Sequence, residues 1–488
     1  MDSSRSYLAI DLGASSGRAV LGTLDGDVMR MHEVHRFATP FIESSGHLYW
    51  DVDVLWSDIQ VGVARALHEA PALRSISVDS WAVDYVPLNA AGIRLRNPYS
   101  YRDSRTSQRM QSAIQKAGGA ATLYERTGIQ FLAFNTLPQI VADMDDEPDI
   151  VERTAMRLMI ADYFLYRLSG RMVCESTMAS TTQLMDIRTG DWARDVIGAI
   201  GDEPSRWPDI VSAGAVLGTL RVERVAGSTM KPPVVIATCS HDTAAAVAAV
   251  PAEADSEWAF ISSGTWSLVG IERKEALLTD NARDAGFTNE AGLDDTIRFL
   301  KNRAGMWVLE ECRREWEQSG DFTPYESLLA QVARAEPVAH TIDLNAPAFA
   351  ARGDMVRRVH ATCADNGIAM PPNNAALARL ILHSLAESNA RALDELDAVA
   401  SMHADVVHIV GGGARNDLLN QLTADACGRR VVAGPEEATV LGNLLVQARA
   451  LGDLPRGLSV RDVARRSTQL RQFAPRGASR ATSTAGTL

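Results

Sequence analysis

Short apolar runs bounded by polar turns alternate with longer, helix-like periodic stretches along most of this chain. In the first half, apolar runs over 7–10, 75–78 and 85–88 predict buried strands, and the apolar spacing over 61–67 predicts a helix. In the second half, strands are predicted over 234–237, 258–261, 268–271, 406–407 and 431–433, and helices over 244–250, 373–396 and 417–427. Strands that alternate with helices predict an α/β architecture.

The chain has 488 residues, which is more than one hydrophobic core usually supports, so two domains are expected. The proline pair in Lys231-Pro-Pro233 indicates a division into an N-terminal domain over 1–233 and a C-terminal domain over 234–474. The segment 475–488 is rich in Ser, Thr, Gly and Ala, a composition that predicts a disordered tail.

Composition and charge narrow the class of protein. The net charge of −13 argues against a nucleic-acid binder that relies on general phosphate attraction. The apolar runs are too short to cross a membrane, and the first residues lack the features of a secretory signal. The five cysteines are scattered and form no C-x-x-C pair, which indicates free thiols in a reducing cytosol. We therefore expect a cytoplasmic protein with no nucleic-acid or membrane partner.

Two turns rich in glycine and hydroxyl residues each follow an apolar strand and lead into another. The first is Asp11-Leu-Gly-Ala-Ser-Ser-Gly-Arg18, and the second is Ser262-Ser-Gly-Thr-Trp-Ser267. Glycine lets the backbone approach a bound group closely, while hydroxyls, amides and the Arg18 guanidinium can donate to an anion. One such hairpin in each half of the chain predicts a nucleotide held between paired domains.

A third glycine-rich turn lies in His408-Ile-Val-Gly-Gly-Gly-Ala-Arg-Asn416, between a predicted strand and a predicted helix. Bare backbone beside a helix N-terminus suits phosphate or ribose, although a purely structural turn is the alternative. Dinucleotide binding is disfavoured, because the third fingerprint glycine is missing and Gly428 or Arg429 stands where the ribose-binding acid is expected.

Other phosphate and hydrolase motifs are absent or out of place. No lysine follows a glycine, which excludes a Walker A sequence, and the motifs of protein kinases are missing. Residues 13–17 match G-x-S-x-G, with Ser15 as the nucleophile of a serine hydrolase. That motif needs a helix after the serine and a sheet before it, whereas a strand follows here and only a dozen residues precede.

Asp242 is the candidate reacting base, since it follows a predicted buried strand and begins an alanine-rich helix. A structural role as an N-cap is the alternative, and both hold together if the helix dipole keeps the carboxylate ionised. Asp11 has a similar double interpretation, as a turn residue or as a carboxylate that organises magnesium. Mg²⁺ keeps several waters and needs only one or two protein carboxylates beside the phosphates.

Taken together, these segments resemble the FGGY carbohydrate kinases, which have the actin-like ATPase fold. The resemblance covers nearly the whole chain apart from the tail. Beyond the turns quoted above, it rests on Trp50-Asp-Val-Asp53, Tyr101-Arg-Asp-Ser-Arg-Thr106, Gly128-Ile-Gln-Phe-Leu132, Asp162-Tyr-Phe164, Ser240-His-Asp-Thr243 and Leu419-Asn-Gln-Leu422. It implies two ribonuclease H-like α/β domains with an interdomain cleft, sugar and phosphates on the first and nucleotide on the second.

The resemblance also implies roles for individual residues. Asp242 would be the proton acceptor, and Asp11 would hold Mg²⁺. The implied ATP contacts are Ala14, Ser15, Ser16, Gly17, Arg18, Thr265, Glu310 and Gly412. The implied sugar contacts are Ala82, His241, Asp242, Thr243 and Asn302. Two of these positions depart from the family pattern, because Ala82 replaces a usual glycine and Glu310 replaces a glutamine.

The activity implied by the resemblance is transfer of the ATP γ-phosphoryl group to the 1-hydroxyl of L-rhamnulose, with Mg²⁺ as cofactor. Two alternatives stay open at this point. One is a kinase of another ketose, such as L-fuculose, L-ribulose or D-xylulose, and the other is a non-catalytic sugar sensor on the same fold.

Overall fold

A computed structural model describes residues 5–221, 231–254, 256–349 and 351–476. Of the predicted tail, the part from 477 to 488 lies outside these residues. Contacts divide the chain into two compact units. Unit 1 comprises Met1–Pro251, Glu272–Phe299 and Ala438–Thr468, and unit 2 comprises Ala252–Ile271, Leu300–Glu437 and Gln469–Leu488.

The expected division after Pro233 is not where the contacts divide the chain. The strand Val234–Ala237 pairs in parallel with Ser75–Ser80, and it therefore belongs to the sheet of unit 1. The chain also returns to unit 1 twice after residue 251, with 272–299 and 438–468. A proline pair marks a local break in the backbone, but it does not reveal which sheet the next strand joins.

The strands and helices carry the following bounds in chain order. The strands are β1 (Arg5–Leu12), β2 (Ser16–Asp25), β3 (Val28–Ala38), β4 (Phe41–Ser44), β5 (His47–Trp50), β6 (Ser75–Ser80), β7 (Tyr85–Leu88), β8 (Met156–Met159), β9 (Cys174–Glu175), β10 (Met185–Asp186), β11 (Asp191–Trp192), β12 (Ile210–Val211), β13 (Ala215–Thr219), β14 (Val234–Ala237), β15 (Trp258–Ser263), β16 (Trp266–Arg273), β17 (Thr288–Ala291), β18 (Ile297–Ala304), β19 (Val406–Val410), β20 (Arg430–Ala433) and β21 (Arg471–Phe473). The α-helices are α1 (Val52–Glu69), α2 (Met110–Lys116), α3 (Ala120–Thr127), α4 (Thr136–Asp146), α5 (Pro148–Arg153), α6 (Ile160–Ser169), α7 (Ser176–Ser180), α8 (Arg194–Ala199), α9 (Asp242–Ala248), α10 (Asp280–Asp284), α11 (Trp307–Gln318), α12 (Tyr325–Arg334), α13 (Met355–Asp365), α14 (Asn374–Ala400), α15 (Asp417–Cys427), α16 (Ala438–Ala450) and α17 (Val460–Arg466).

Unit 1 is built on a mixed sheet with the strand order β13-β14-β6-β1-β2-β3. β1 is antiparallel to β2 and parallel to β6, so Asp11 lies opposite Arg18 on one side and opposite Asp79 on the other. The helices α1 and α6 pack on this sheet, as does α16, which also packs against α9. The parallel order β14-β6-β1 brings the carboxyl ends of three strands to one edge of the sheet.

The core of unit 1 follows from the sequence pattern. In α1, the buried positions Leu55, Ile59, Val63 and Ala66 recur at helical spacing and form the face turned to the sheet. The helix begins after Asp51, whose carboxylate accepts a hydrogen bond from the Val54 N–H and caps the first turn. β6 is buried at every position, as expected of a central parallel strand.

Unit 2 repeats the same arrangement of strands. β15 pairs antiparallel with β16 and parallel with β19, and β19 pairs in parallel with β20. The long helix α14 packs against α12 and α15, and its buried side chains share a core with those of α11 and α13. Each unit therefore contains an antiparallel hairpin whose first strand continues the sheet through parallel neighbours. The predicted α/β class and the predicted strands of both hairpins are confirmed.

Candidate functional site

Three carboxylates lie at or shortly after the ends of three neighbouring strands of unit 1, at one edge of the sheet. Asp11 is near the end of β1, Asp79 is near the end of β6, and Asp242 comes shortly after β14. The β6 and β14 ends are joined by a hydrogen bond of 2.9 Å from the Ser80 N–H to the Ser240 carbonyl. Ligands commonly bind at the carboxyl ends of strands in open α/β sheets, which makes this edge the candidate site.

Asp242 is the first residue of α9, and His241 is the N-cap, so the interpretation of Asp242 as the N-cap is wrong by one residue. Its Oδ1 atom accepts hydrogen bonds from the Thr243 N–H at 2.5 Å and from the Thr243 hydroxyl at 3.1 Å. Burial, followed by the negative charge of Asp11, raises the pKa of Asp242 to about 7. The side chain is still 31% exposed. A carboxylate that titrates near neutral pH and remains accessible suits a general base.

His241 is held by an arginine from the end of unit 1's second chain segment. Arg298 is fully buried, and its Nη2 donates to His241 Nδ1 at 3.1 Å. Because guanidinium only donates, Nδ1 must accept and a neutral ring carries its proton on Nε2. His241 Nε2 lies 3.4 Å from Asp242 Oδ1. Burial and then the positive charge of Arg298 lower the pKa of His241 well below its ordinary value.

Glu290 completes this buried group. Its Oε2 atom lies 3.0 Å from Arg298 Nη2 and 3.4 Å from His241 Nδ1. Burial raises the pKa of the Glu290 carboxyl, and the neighbouring Arg298 charge opposes that effect. Neither Glu290 nor Arg298 was predicted as a site residue, because both lie about 50 positions or more from His241 without a motif that connects them.

The loop that carries His241 and Asp242 is anchored by the β9–α7 segment. Glu175 is buried and accepts a hydrogen bond from the Ser240 N–H at 2.9 Å. The Thr177 hydroxyl oxygen accepts one from the His241 N–H at 3.2 Å, and this hydroxyl donates to Glu175. Two backbone donors that precede Asp242 are thereby satisfied inside the protein.

The first glycine-rich turn lies where the sequence predicts it, between β1 and β2. Ser15 and Ser16 are exposed and Ala14 is half-buried, while Gly17 is buried at the start of β2. The Gly13 N–H donates to the Ser16 carbonyl at 3.1 Å, which closes the turn. A Cβ at Gly17 would lie 2.3 Å from the Phe37 ring, so that close approach requires a glycine.

Arg18 contacts Asp11 across the β1–β2 pair. Its Nε and Nη2 atoms lie 2.9 Å and 2.8 Å from Asp11 Oδ2. Asp79, fully buried beside Asp11, accepts a hydrogen bond from Asn443 Nδ2 at 2.5 Å, and its Oδ1 atom has no hydrogen-bond partner among the described residues. Burial and then the negative charge of Asp11 raise the pKa of Asp79 well above its ordinary value.

Among the described residues, no group of three or more His, Cys, Asp and Glu side chains is arranged as a metal cage. A hydrated Mg²⁺ ion needs no such cage, because it takes oxygen ligands and uses one or two carboxylates beside bound phosphates. Asp11 lies next to a turn of exposed hydroxyls and offers a carboxylate of the required kind. The donor set therefore fits a magnesium ion bound together with a phosphate ligand.

In unit 2, the second glycine-rich turn is packed against two other segments that carry predicted site residues. The N–H groups of Met306 and Trp307 donate to the carbonyls of Gly264 and Thr265 at 2.9 Å and 3.3 Å. Met306 is the N-cap of α11 and Trp307 is its first residue, and the first turn of this helix carries Glu310. A Cβ at Gly413 would lie 2.0 Å from Ser263 Oγ, so the triple-glycine segment with Gly412 also abuts this turn.

The predicted site residues fall into two sets, one in each unit. Unit 1 carries Asp11, Ala14, Ser15, Ser16, Gly17, Arg18, Ala82, His241, Asp242 and Thr243. Unit 2 carries Thr265, Asn302, Glu310 and Gly412, with Asn302 on β18. In the part of the chain that the structure describes, we find no helix that is long and apolar enough to span a membrane.

Family models match both halves of the chain. Residues 6–249 match the model of the FGGY family of carbohydrate kinases, N-terminal domain, and residues 259–451 match that of the C-terminal domain. The rhamnulokinase of Bacillus subtilis (strain 168) is 38% identical over 476 residues, which cover 98% of this chain and 96% of the relative. The rhamnulokinase of Klebsiella pneumoniae (strain 342) is 39% identical over 473 residues, which cover 96% and 95%.

Solved structures support the fold. Gluconate kinase from Lactobacillus acidophilus superimposes with a TM-score of 0.79 at 16% identity, covering 97% of this chain and 94% of that one. Plasmodium falciparum glycerol kinase with ADP gives 0.75 at 15% identity, with the same coverage of 97% and 94%. The expected actin-like α/β fold is confirmed. With both family models matched in order and full-length relatives above 30% identity, the chain belongs to the FGGY family of carbohydrate kinases.

Proposed function

We propose that this carbohydrate kinase transfers the γ-phosphoryl group of ATP to the 1-hydroxyl of L-rhamnulose and releases L-rhamnulose 1-phosphate and ADP. The observation that carries the proposal is Asp242, an accessible carboxylate with a pKa near neutral at the edge of the unit 1 sheet. The choice of sugar rests on relatives that are rhamnulokinases and 35–39% identical over nearly the full chain.

In this mechanism Asp242 accepts the proton of the sugar hydroxyl as its oxygen attacks the γ-phosphorus. The bond from the γ-phosphorus to the bridging oxygen of ADP breaks, and ADP carries the resulting charge. Thr243 fixes the Asp242 carboxylate through two hydrogen bonds, which leaves the second oxygen, Oδ2, to face the substrate. Phosphoryl transfer involves little covalent protein chemistry, so such positioning provides much of the catalysis.

His241 would contact the sugar as a hydrogen-bond donor. Since Arg298 occupies Nδ1, the Nε2–H group is free to donate to the sugar or to Asp242. Ala82 and Asn302 would be further sugar contacts. The exposed turn with Ala14, Ser15, Ser16 and Gly17 would bind phosphate oxygens, as would Arg18 and Thr265, with Glu310 and Gly412 toward the nucleoside. Mg²⁺, held by Asp11, would neutralise charge on the triphosphate.

A substrate panel tests the proposal. The purified protein is given ATP, Mg²⁺ and each of L-rhamnulose, L-fuculose, L-ribulose and D-xylulose, and ADP release is coupled to a spectrophotometric reaction. We expect the highest kcat/KM for L-rhamnulose, with phosphate on its 1-hydroxyl by phosphorus NMR. A higher kcat/KM for another ketose would reassign the substrate, and no turnover with any sugar would favour a sensor.

The role of Asp242 is tested separately by Asp242→Asn, with Asp25→Asn as a matched control at an exposed carboxylate of unit 1. We expect the first variant to lose turnover by on the order of a hundredfold or more while it still binds sugar, since a positioned base contributes that much. Asp25→Asn is expected to retain full activity. A folded Asp242→Asn protein with near-normal kcat would remove the proposed role.

A further inference from the structure

The turn that follows β6 contains a backbone conformation that its residue disfavours. Val83 has φ = 69°, and the Asp84 N–H donates to the Ala82 carbonyl at 2.9 Å. A hydrogen bond between residues two apart, around a central residue with positive φ, defines the rare and strained form of the γ-turn. Strain is greatest for a β-branched residue such as valine, because its Cβ substituents crowd the backbone in the left-handed region.

Two buried donors hold this turn in place. The Val83 carbonyl accepts hydrogen bonds from the Thr136 hydroxyl at 2.6 Å and from Gln139 Nε2 at 3.3 Å. Both donors belong to α4 and are buried. Strained backbone persists only where its surroundings over-determine it, and such positions cluster at ligand sites.

The carboxylate of Asp84 fixes the far end of the same turn. It is fully buried and accepts four hydrogen bonds, from Trp50 Nε1 at 2.6 Å, Gln139 Nε2 at 2.9 Å, Trp81 Nε1 at 3.0 Å and the Tyr101 N–H at 3.1 Å. With four donors, this carboxylate has no capacity left for a ligand. It acts on the turn, and on the rings of Trp50 and Trp81, which are tilted by 35° to each other with centroids 4.1 Å apart.

The turn adjoins the candidate site on two sides. The Trp81 N–H donates to the Leu12 carbonyl at 3.3 Å, directly after Asp11 in the chain. The Ser80 N–H donates to the Ser240 carbonyl, two residues before Asp242. Ala82, at the start of the γ-turn, is half-buried, whereas both residues that flank it are buried. The strained segment therefore begins with a half-buried residue, Ala82, and directly follows two residues that bond to the segments of Asp11 and Asp242.

We propose that the γ-turn centred on Val83 is the element that selects the ketose, and that Thr136 and Gln139 are its positioning residues. The buried hydrogen bonds fix the Ala82 carbonyl and methyl group at a constant place relative to Asp242. A sugar whose hydroxyl pattern does not match that surface loses its alignment with the base. This inference rests on the proposed function, since it concerns how the same site chooses its acceptor.

The central experiment compares Thr136→Val with Thr136→Ser. Valine keeps the shape of threonine but lacks the hydroxyl, whereas serine keeps the hydroxyl donor to the Val83 carbonyl. For Thr136→Val we expect kcat/KM for the best ketose to fall about tenfold, which corresponds to the free energy of one hydrogen bond. The KM for ATP should be unchanged. We also expect the ratio of kcat/KM between the best ketose and the other three to decrease. Thr136→Ser should restore both this ratio and kcat/KM for the best ketose.

Val83→Gly is the second variant, and it keeps the test decisive if Thr136→Val fails to fold. Glycine adopts positive φ without strain, and this gain offsets the lost burial of the valine side chain, so a folded protein is expected. Because its turn is less constrained, this variant should also show a smaller ratio of kcat/KM between the best ketose and the other three. Unchanged ketose preference in the folded variants, or an equal rise in KM for ATP, would overturn the inference. If wild-type protein phosphorylates no ketose, the proposed function fails instead.

Discussion

Arg298 Nη2 donates a hydrogen bond to His241 Nδ1 across 3.1 Å of the buried interior of unit 1. This contact sets the tautomer of a neutral His241 and keeps the ring from acquiring a proton. Burial and then the positive charge of Arg298 lower the pKa of His241, so the ring stays neutral as the pH falls through the ordinary titration range of histidine.

Removal of that cation should make the activity more sensitive to acid. In the double variant Arg298→Met and Glu290→Gln, the positive charge beside the ring is gone while burial still lowers the pKa of His241. We therefore expect that pKa to rise above its wild-type value but to stay below the ordinary value of histidine. The value of kcat/KM for the ketose should then fall at acid pH more steeply than in the wild type. The control is Arg298→Lys, which keeps a positive charge in the same cavity. Parallel pH profiles for the methionine and lysine variants would contradict the assignment.

The wild-type enzyme should show an acid limb of its own because Asp242 must be ionised to accept a proton. With a pKa of about 7 in the free enzyme, kcat/KM for the ketose should rise through about pH 7 and level off above it. A profile measured with saturating MgATP and limiting ketose tests this. A flat profile between about pH 5 and 8 would contradict the shift, since an ordinary aspartate titrates near 3.9.

The raised pKa of Asp242 also affects stability, which should fall as the pH rises, whereas the activity should increase. The folded state holds the Asp242 proton more tightly than the unfolded chain, whose aspartates titrate near about 3.9. This group therefore contributes stability that is fully present below about pH 4 and is lost as the pH rises through about 7. As the pH rises across that range, the urea midpoint of the wild type should fall relative to that of Asp242→Asn. A constant difference in urea denaturation experiments would contradict it.

Local features of the site could be predicted from the sequence. Strand, turn and strand around 11–18 are encoded in an apolar run, a glycine-hydroxyl cluster and a second apolar run, all within about 20 residues. The same is true of the loop with His241 and Asp242, between an apolar strand and an alanine-rich helix. Local spacing is sufficient there because each element forms from neighbouring residues.

The partners of those residues could not be predicted, since no periodic pattern relates them. Asp79 and Asn443 are 364 positions apart, and Ser240 and Glu175 are 65 apart. Such pairs depend on which helix packs on which strand, and α16 reaches β1 and β6 only after the chain has passed through unit 2. The same return of the chain explains why a proline pair did not mark the boundary between the units. The turn at Val83 could not be predicted either, because valine rarely adopts a positive φ.

Asn443 should be essential for stability through its contact with Asp79. In Asn443→Leu, the buried Asp79 carboxyl loses its donor at Oδ2 while Oδ1 already has none, and we expect a loss of about 1–3 kcal/mol in the free energy of unfolding. The double variant Asp79→Leu and Asn443→Leu removes both members of this pair. Its loss in free energy of unfolding should be smaller than the sum of the losses in the two single variants. Urea unfolding of the four proteins measures the coupling. Additive losses would mean that the hydrogen bond contributes nothing beyond packing.

Gly442 provides the last test, because it determines how closely α16 approaches the helix that begins with Asp242. A Cβ at this position would lie 1.9 Å from the Ala245 carbonyl oxygen and 2.7 Å from its carbon, both of them backbone atoms of α9. Since backbone cannot rotate away as a side chain can, Gly442→Ala should shift α9, destabilise the protein by about 1–3 kcal/mol and lower kcat with the displaced base. The matched control is Gly198→Ala in α8, where a Cβ meets nothing within 4 Å. There alanine should be neutral or stabilise by about 0.5–1 kcal/mol, because it reduces the freedom of the unfolded chain. Thermal unfolding and turnover are measured for both variants, and equal behaviour of the two would show that α9 tolerates the added methyl group.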